Sequence, residues 1–416
     1  MSNVMMHSGP RLSSPQPVLS PWFRAGHSEP TRTAIYSQPR RPRWDKPLPF
    51  KPEVCVEKME QPSTSMGIVG LTQSHTGLLA QEVVMVKQRA RQVVTAMRGL
   101  DDQVRLFSWR VNADGALLRT GSGKLPLGAV QQIKMVQVRN YVVACRTQAG
   151  ELHLSRWDVS NTGAIYLAGA MADCGQNIQW VEMVALASDR FAILALTTTQ
   201  TWRLMLWQLQ GDTEVTPLAV HEMPAALVGS SALAVLPPNG DSLRLATLTA
   251  EDQDHFVLRL WQSQPGDALA LQTTVPLPLP DVVAVVCTHV AYGHFYIIVQ
   301  TVTGQLRLVT WRLTTEGGIV LLGVGTVLAE GVAQCTSQRD PDGFALVYRT
   351  LAGELCVQRC QPQPTGDLLL HVAGRSADAA QGEVICCNEV LEGNAPLLTG
   401  VIDDGGEVTL RTWRQN

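Results

Sequence analysis

The sequence contains little charge and no segment typical of membrane or secreted proteins. Charged residues make up 17% of the 416 residues and the formal net charge is −3, which indicates neither a basic nucleic-acid-binding face nor a polyacidic tail. No apolar run approaches the roughly 18 residues that a membrane-spanning helix needs. Residues 1–10 contain no basic segment followed by an apolar stretch, so a secretory signal is not predicted. We therefore expect a cytoplasmic protein without a nucleic-acid partner and without membrane insertion.

Cysteine spacing typical of a metal site is also missing. The nine cysteines lie at positions 55, 145, 174, 287, 335, 356, 360, 386 and 387, and none are arranged as Cys-x-x-Cys. Cys356 and Cys360 would be roughly 13 Å apart along a strand, too far to share one ion without a bend. An odd, scattered set that falls partly within apolar runs is typical of free thiols in a reducing compartment.

Motifs of catalysis and calcium binding are missing too. The chain has no Gly-rich phosphate loop, no Gly-x-Ser-x-Gly elbow and no His-Glu-x-x-His. The acidic stretches Asp101-Asp102, Asp252–Asp254 and Asp403-Asp404 contain carboxylates that could bind calcium, but they lack a spaced ligand loop and fit hairpin turns better. We predict no enzyme activity, no catalytic residues, no cofactor, no metal and no small-molecule substrate.

What the sequence does contain is one motif that occurs seven times. Its first copy, Val104–Gly123, is an alternating apolar run that ends at Trp109, followed by an Asp114-Gly115 turn and a second short apolar run. This pattern predicts two antiparallel strands joined by a tight turn. The residue that ends the first run recurs at intervals of about 50 residues, as expected of a repeat protein. We call these seven residues the blade anchors: Trp109, Trp157, Trp207, Trp261, Trp311, Cys360 and Trp413.

Each repeat unit is predicted to contain four strands. In the first unit these are Val83–Lys87, Gln92–Met97, Val104–Trp109 and Ala116–Arg119, with turn residues between them. Four strands in a unit of about 50 residues are typical of a β-propeller blade. The innermost strands, such as Val282–Val286 and Val181–Val184, are largely apolar and offer no ring of carboxylates or histidines.

The two ends of the array predict how the ring closes. The seventh unit starts near Glu383 and stops at Trp413, so its fourth strand is missing. Residues 67–71, which precede the first unit, resemble a fourth strand. Pairing this segment with the last blade would remove two exposed sheet edges. We therefore predict an all-β fold over residues 66–416, a seven-bladed β-propeller closed by an N-terminal strand.

Residues 1–65 differ from the rest and form a separate N-terminal arm. The segment is rich in proline and mildly basic, a composition that cannot bury enough apolar surface to fold alone, so we expect it to be extended or disordered. One interpretation is a passive tail, and the other is a docking arm whose aromatic and arginine side chains fill pockets on a partner. The candidate partner-binding residues are Trp22, Phe23, Tyr36, Arg40, Arg41, Arg43, Trp44 and Phe50.

The repeat resembles the WD-repeat propellers. Leu258–Gly266 and Val104–Gly115 contain the third strand, the terminal tryptophan and the following glycine turn of that motif, and Trp157-Asp158 is a Trp-Asp pair. The resemblance covers residues 66–416 and implies a divergent seven-bladed propeller with WD-like blades. Such families mostly act as rigid platforms for protein partners, while some propellers bind sugars or carry enzymes.

These observations lead to one expected function and one alternative. We expect a non-enzymatic protein–protein interaction or structural assembly module whose partner is another protein or further copies of itself. The alternative is a carbohydrate-binding, lectin-like propeller in which tryptophans stack on sugar rings. The blade anchors recur at one structural position, however, and every blade needs the same packing there, so we expect them to be core residues.

Overall fold

The structure is a computed structural model that describes residues 68–89, 91–211, 214–224, 231–239, 242–250, 255–264, 268–278, 281–314, 318–340, 343–371, 373–376, 383–389 and 397–415. The regular elements in these ranges are β-strands, and they form an all-β propeller with four-stranded blades. Within the same ranges there is no helix with the length and apolar character needed to cross a membrane.

The strands have the following bounds, in chain order: β1 Ile68–Arg89, β2 Gln92–Gly99, β3 Val104–Val111, β4 Leu117–Lys124, β5 Val130–Gln137, β6 Tyr141–Thr147, β7 Leu152–Val159, β8 Ile165–Leu167, β9 Ala172–Gly175, β10 Ile178–Ala185, β11 Arg190–Thr197, β12 Thr201–Gln210, β13 Glu214–Pro224, β14 Ser231–Asn239, β15 Ser242–Ala250, β16 His255–Ser263, β17 Leu269–Pro278, β18 Val282–Ala291, β19 His294–Thr301, β20 Leu306–Leu313, β21 Ile319–Ala329, β22 Val332–Asp340, β23 Gly343–Thr350, β24 Leu355–Pro362, β25 Leu368–Leu370, β26 Gly374–Ser376, β27 Glu383–Glu389, β28 Leu397–Ile402 and β29 Glu407–Gln415.

Hydrogen bonding divides these strands into six sheets. Five of them each contain one repeat unit, with antiparallel strands paired in chain order from first to fourth. In two of the five, the fourth strand is interrupted: β8 and β9 both pair with β7, and β25 and β26 both pair with β24. The second strand is the most deeply buried; every residue of β6, for example, is buried. Each of these five sheets therefore has its core strands in the middle and its fourth strand at one edge.

The count of six sheets corrects the seven separate blades predicted from the sequence. The sixth sheet has seven strands, in the order β27-β28-β29-β1-β2-β3-β4. Its central strand β1 pairs with β29 over Ile68–Leu79 and with β2 over Ala80–Arg89. The predicted closing strand and the predicted first strand of the first unit are therefore one continuous strand. Gly77, at φ 65°, and a register shift before Leu79 allow this strand to change its pairing partner from β29 to β2.

The predicted pairing of the N-terminal strand with the last unit is confirmed. Ile68 lies opposite Gln415, Val69 opposite Arg414 and Gly70 opposite Trp413. The Thr76 hydroxyl also donates to the carbonyl of Val408 at 2.7 Å, across 332 residues of sequence. The strand near residues 67–71 therefore supplies the fourth strand that the last unit lacks.

Successive units are joined at one end by backbone hydrogen bonds from a recurring turn. The turn between the second and third strands contains a residue with positive φ whose carbonyl accepts a bond from the first strand of the next unit. The bonds are Ile178 N to Gly150 O at 2.8 Å, Val332 N to Gly304 O at 2.8 Å, Val130 N to Asp102 O at 3.0 Å and, between the last and first units, Ala80 N to Gly406 O at 2.8 Å.

The opposite end of the blades has its own set of bonds between units. Here the residue before a blade anchor donates its side chain to a glycine carbonyl in the turn between the third and fourth strands of the next unit. The bonds are Ser108 Oγ to Gly163 O at 2.5 Å, Arg156 to Gly211 O at 3.2 Å and Thr412 Oγ1 to Gly115 O at 3.1 Å. At both ends of the blades, the last unit is therefore joined to the first by the same kinds of hydrogen bond that join other successive units.

These turns give a prediction at Gly304. Gly304 and Gly293 both have φ of 74°, which costs an alanine roughly 1–2 kcal/mol. A Cβ at position 304 would lie only 2.8 Å from the Val332 carbonyl oxygen, whereas a Cβ at position 293 would meet nothing within 4 Å. We expect Gly304→Ala to lower the free energy of unfolding, measured in urea, by about 1 kcal/mol or more beyond the loss for Gly293→Ala, because it also disturbs an inter-unit hydrogen bond. Equal losses would contradict this account of the turn.

Candidate functional site

The seven blade anchors lie in cores shared by neighbouring units. None of them is more than 5% exposed. Trp157, for example, packs against Val94 and Leu106 of the first unit and Tyr141 of its own, and Trp413 packs against Val347 of the preceding unit. A sugar would need an exposed indole face for stacking, and these rings offer none.

The indole N–H groups of the six tryptophan anchors show three arrangements. In three units the Nε1–H donates to a threonine hydroxyl fourteen residues earlier, namely Trp109 to Thr95 at 2.9 Å, Trp261 to Thr247 at 3.0 Å and Trp413 to Thr399 at 3.0 Å. Trp157 donates instead to Ser155. The equivalent positions for Trp207 and Trp311 hold Ile193 and Ile297, and the Nε1 atoms of these two tryptophans have no partner among the described residues. An alignment of the unit sequences on their anchors would show the threonine that lies fourteen residues before the anchor in these three units.

The innermost strands of the first three units carry polar side chains that sequence reasoning missed. Glu82 accepts a bond from the backbone N–H of Ile133 at 3.0 Å. Gln132, one unit later, both accepts from Val181 N at 3.1 Å and donates to Val181 O at 3.0 Å. Lys134 forms an ion pair with Glu182 at 2.8 Å. Adjacent inner strands are thus joined by side chains, in addition to the bonds at the blade ends.

Glu82 has a strongly perturbed pKa in this position. Burial raises the pKa of its carboxyl to about 7, against the opposing effects of Lys134, Arg98 and the Ile133 N–H. Arg98 forms an ion pair with it, with Nε 3.6 Å from the carboxylate. Its partners come from two units, so spacing in the sequence alone could not have indicated the shift.

The acidic stretches considered as calcium ligands form turn hydrogen bonds and ion pairs where the structure describes them. Asp101 pairs with Arg105 at 2.5 Å, and this hydrogen bond holds the pKa of Asp101 well below its ordinary value. Asp102 pairs with Arg98 at 3.1 Å, and Asp403 accepts from Glu407 N at 2.8 Å. Asp252–Asp254 lie outside the described residues. The described part of the chain contains no group of three or more metal-ligating side chains.

Among the residues that the structure describes, the largest group of exposed large apolar side chains on one strand lies on the outer strand β21. Val320, Leu321, Leu322 and Val327 are 42–45% exposed, and we call these four residues the β21 patch. β21 contains neither a charged residue nor a proline. The comparable outer strands do: β4 contains arginine and lysine, β13 two glutamates and two prolines, and β17 two prolines. Charges and prolines at sheet edges normally prevent unwanted pairing.

The backbone of β21 presents these side chains in an irregular way. The strand pairs with β20 and is the last in its sheet. Its register shifts three times, so that Leu322 is skipped between the pairs Thr310–Gly323 and Trp311–Leu321. Such bulges bend a strand and disturb the alternation of its side chains, which is why three consecutive residues are exposed together. Leu322 also lies close to the next unit, because its Cδ1 is 3.3 Å from the point that a Cβ on Gly366 would occupy.

The predicted docking-arm residues Trp22, Phe23, Tyr36, Arg40, Arg41, Arg43, Trp44 and Phe50 all lie outside the described residues. Their role as partner-binding groups therefore stays a prediction. The described cysteines Cys145, Cys174, Cys335, Cys356 and Cys360 form no disulfide.

Comparisons with known proteins show likeness of fold only. No protein-family model and no curated protein matches the chain. A candidate 6-phosphogluconolactonase of Bacteroides fragilis is 12% identical with a TM-score of 0.49, over 69% of this chain and 82% of that one. A chain of the complex of BBS1N with ARL6DN is 12% identical with a TM-score of 0.48, over 84% and 97%. A chain of the S. cerevisiae complex of Dbp5 with Nup159, Gle1, IP6 and ADP is 10% identical with a TM-score of 0.47, over 85% and 97%. Likenesses this distant support no argument about function, and the WD-repeat resemblance stays a prediction.

Proposed function

We propose that the chain is a non-enzymatic protein–protein interaction or structural assembly module. The observation that carries this proposal is the β21 patch, four apolar side chains exposed together on an uncharged outer strand. Contiguous exposed apolar surface on a soluble domain is typical of a protein contact site. The partner is another protein or a further copy of this chain.

The propeller serves in this proposal as a rigid platform. Hydrogen bonds at both ends of the blades, together with the side chains that join the inner strands, oppose movement of one unit against the next. We further propose that the two ladders sharing β1 act as separate blades, which would make seven units. The bonds Ala80–Gly406 and Thr412–Gly115 support this, because they match the bonds between units in different sheets.

Residues 1–65 serve in this proposal as a docking arm. Its aromatic and arginine side chains are the types most enriched at the energetic centres of protein interfaces. A segment that is ordered only on binding can cover a large partner surface and still dissociate readily. The arm and the β21 patch would thus supply two separate contact regions on one platform.

Light scattering tests the role of the arm. We expect the full chain to have a mass above that of a monomer, and deletion of residues 1–60 to lower that mass while the melting temperature stays nearly unchanged, since the described strands begin at Ile68. Loss of folding on deletion would mean that the arm belongs to the propeller. An unchanged mass would contradict its role in assembly.

A further inference from the structure

We propose that the β21 patch is the contact between two copies of this chain, which meet edge to edge about a two-fold axis. The inference rests on the proposed function and names the partner for one of its two contact regions. It requires that the patch favour an apolar occupant, that a second copy fit better than the chain's own arm, and that the contact be weak enough for a monomer to remain stable.

The patch favours an apolar, uncharged occupant. Val320, Leu321 and Leu322 are consecutive, so they project from both faces of the strand. A partner that lies along the edge can therefore cover side chains on both faces at once. A charged partner would lose hydration at this strand without gaining an ion pair, because β21 offers no charge of either sign.

A second copy satisfies these conditions. In a two-fold contact the same surface meets itself, with residue i against residue j and j against i, so a strand whose charges share one sign brings like charges together. β4, with Arg119 and Lys124, and β13, with Glu214 and Glu222, would bring like charges together in such a contact. Like charges directly opposite one another across paired strands are destabilising. β21 meets its own copy without this penalty.

The chain's own arm is a poorer occupant of the same edge. Residues 1–65 contain eleven prolines and an excess of basic residues. A proline has no N–H to donate to a neighbouring strand, and it is confined to strand ends, edges and bulges. The longest stretches of the arm without proline or charge are Met1–Gly9 and Thr33–Gln38, whereas β21 supplies eleven consecutive residues of this kind.

The expected contact is reversible. The bulges at Leu322, Gly325 and Leu328 interrupt the edge, so side chains must supply much of the contact and a long regular ladder is not available. Stable interfaces bury about 800 Å² on each partner, and four half-exposed side chains cover much less. We therefore expect a dimer that forms at high protein concentration and dissociates on dilution.

Sedimentation velocity of the full chain across a concentration series tests this inference. The wild type is expected to shift from monomer toward dimer as concentration rises. Leu321→Lys and Leu321→Glu should each associate less than the wild type at every concentration, and an equimolar mixture of the two should recover the wild-type association because unlike charges then meet. Leu271→Lys is the matched control, since Leu271 is 48% exposed on the neighbouring outer strand β17, and it should dimerise as the wild type does.

The outcomes separate this inference from the proposed function. A wild type that stays monomeric, or a Leu321→Lys protein that associates as strongly as the wild type, overturns the β21 contact. So does a mixture of the lysine and glutamate variants that fails to associate although both melt like the wild type. If self-association depends on residues 1–60 and is indifferent to position 321, the interaction module stands and only the β21 dimer falls.

Discussion

Replacing Trp261 by alanine is expected to lower the free energy of unfolding by about 3–5 kcal/mol, the usual cost of removing a large buried aromatic side chain. Trp261 is 4% exposed and belongs to a buried apolar cluster that spans two units, with Leu194 and Leu204 of one and Leu245 of its own. The variant would leave a cavity at the junction and remove the bond to Thr247. Urea unfolding followed by tryptophan fluorescence and by circular dichroism measures the loss, and a nearly unchanged midpoint would place this ring outside the core.

A pair of phenylalanine variants isolates the contribution of the indole N–H. Trp261→Phe removes a hydrogen bond to Thr247, whereas Trp311→Phe removes none, because Trp311 Nε1 has no partner among the described residues. The two rings occupy equivalent positions in neighbouring units and are 4% and 3% exposed. We expect the loss at position 261 to exceed that at position 311 by about 1 kcal/mol. A larger loss at position 311 would refute this explanation.

The second large effect is a dependence of stability on pH that Glu82 causes. Its carboxyl has a pKa of about 7 in the folded protein and 4.5 as the ordinary value. Below pH 4.5 the group is protonated in both states, so its contribution to stability is fully present. Between pH 4.5 and 7 the unfolded chain releases the proton while the folded chain retains it, and stability falls. The total loss is about 3 kcal/mol at 1.36 kcal/mol per pKa unit, and it is complete above pH 7.

Glu82→Gln is the variant that tests this dependence. A neutral amide can still accept the Ile133 N–H, as Gln132 accepts the Val181 N–H one unit later. The variant should therefore fold, and its unfolding free energy should decline less than that of the wild type between pH 5 and pH 8, measured by urea unfolding at each pH. Parallel profiles for the two proteins would show that Glu82 titrates at its ordinary pKa.

The strands with buried faces could be predicted well from the sequence. The expected second and third strands of the first unit, Gln92–Met97 and Val104–Trp109, are observed as Gln92–Gly99 and Val104–Val111. These strands lie inside the sheet, so their apolar pattern is strong. The fourth strand is predicted at Ala116–Arg119 and is observed as Leu117–Lys124. An outer strand buries only some of its side chains, so its pattern marks its limits poorly.

The candidate sites depend on contacts that the sequence does not encode locally. The pKa of Glu82 depends on Arg98 in the same unit and on Ile133 and Lys134 in the next. β1 continues as one strand through its change of pairing partner near Gly77. No pair of turn-forming residues at this point indicates the end of one strand and the start of another. The exposure of the β21 patch results from the position of β21 at the edge of its sheet, which the local sequence does not encode.

The pairing of β1 with β29 also constrains how the protein is made. A ribosome releases the N-terminal half of β1 long before β29. The hydrogen bond from Thr76 to Val408 can form only after a further 332 residues have been synthesised. Until then the segment Ile68–His75 is an unpaired strand on a nascent chain, able to pair with the β29 of another molecule. Contacts so distant in sequence slow folding. Synthesis of many chains on one messenger RNA would therefore favour exchange of this strand between neighbours, and holdase chaperones that cover it would raise the yield of correctly closed monomers.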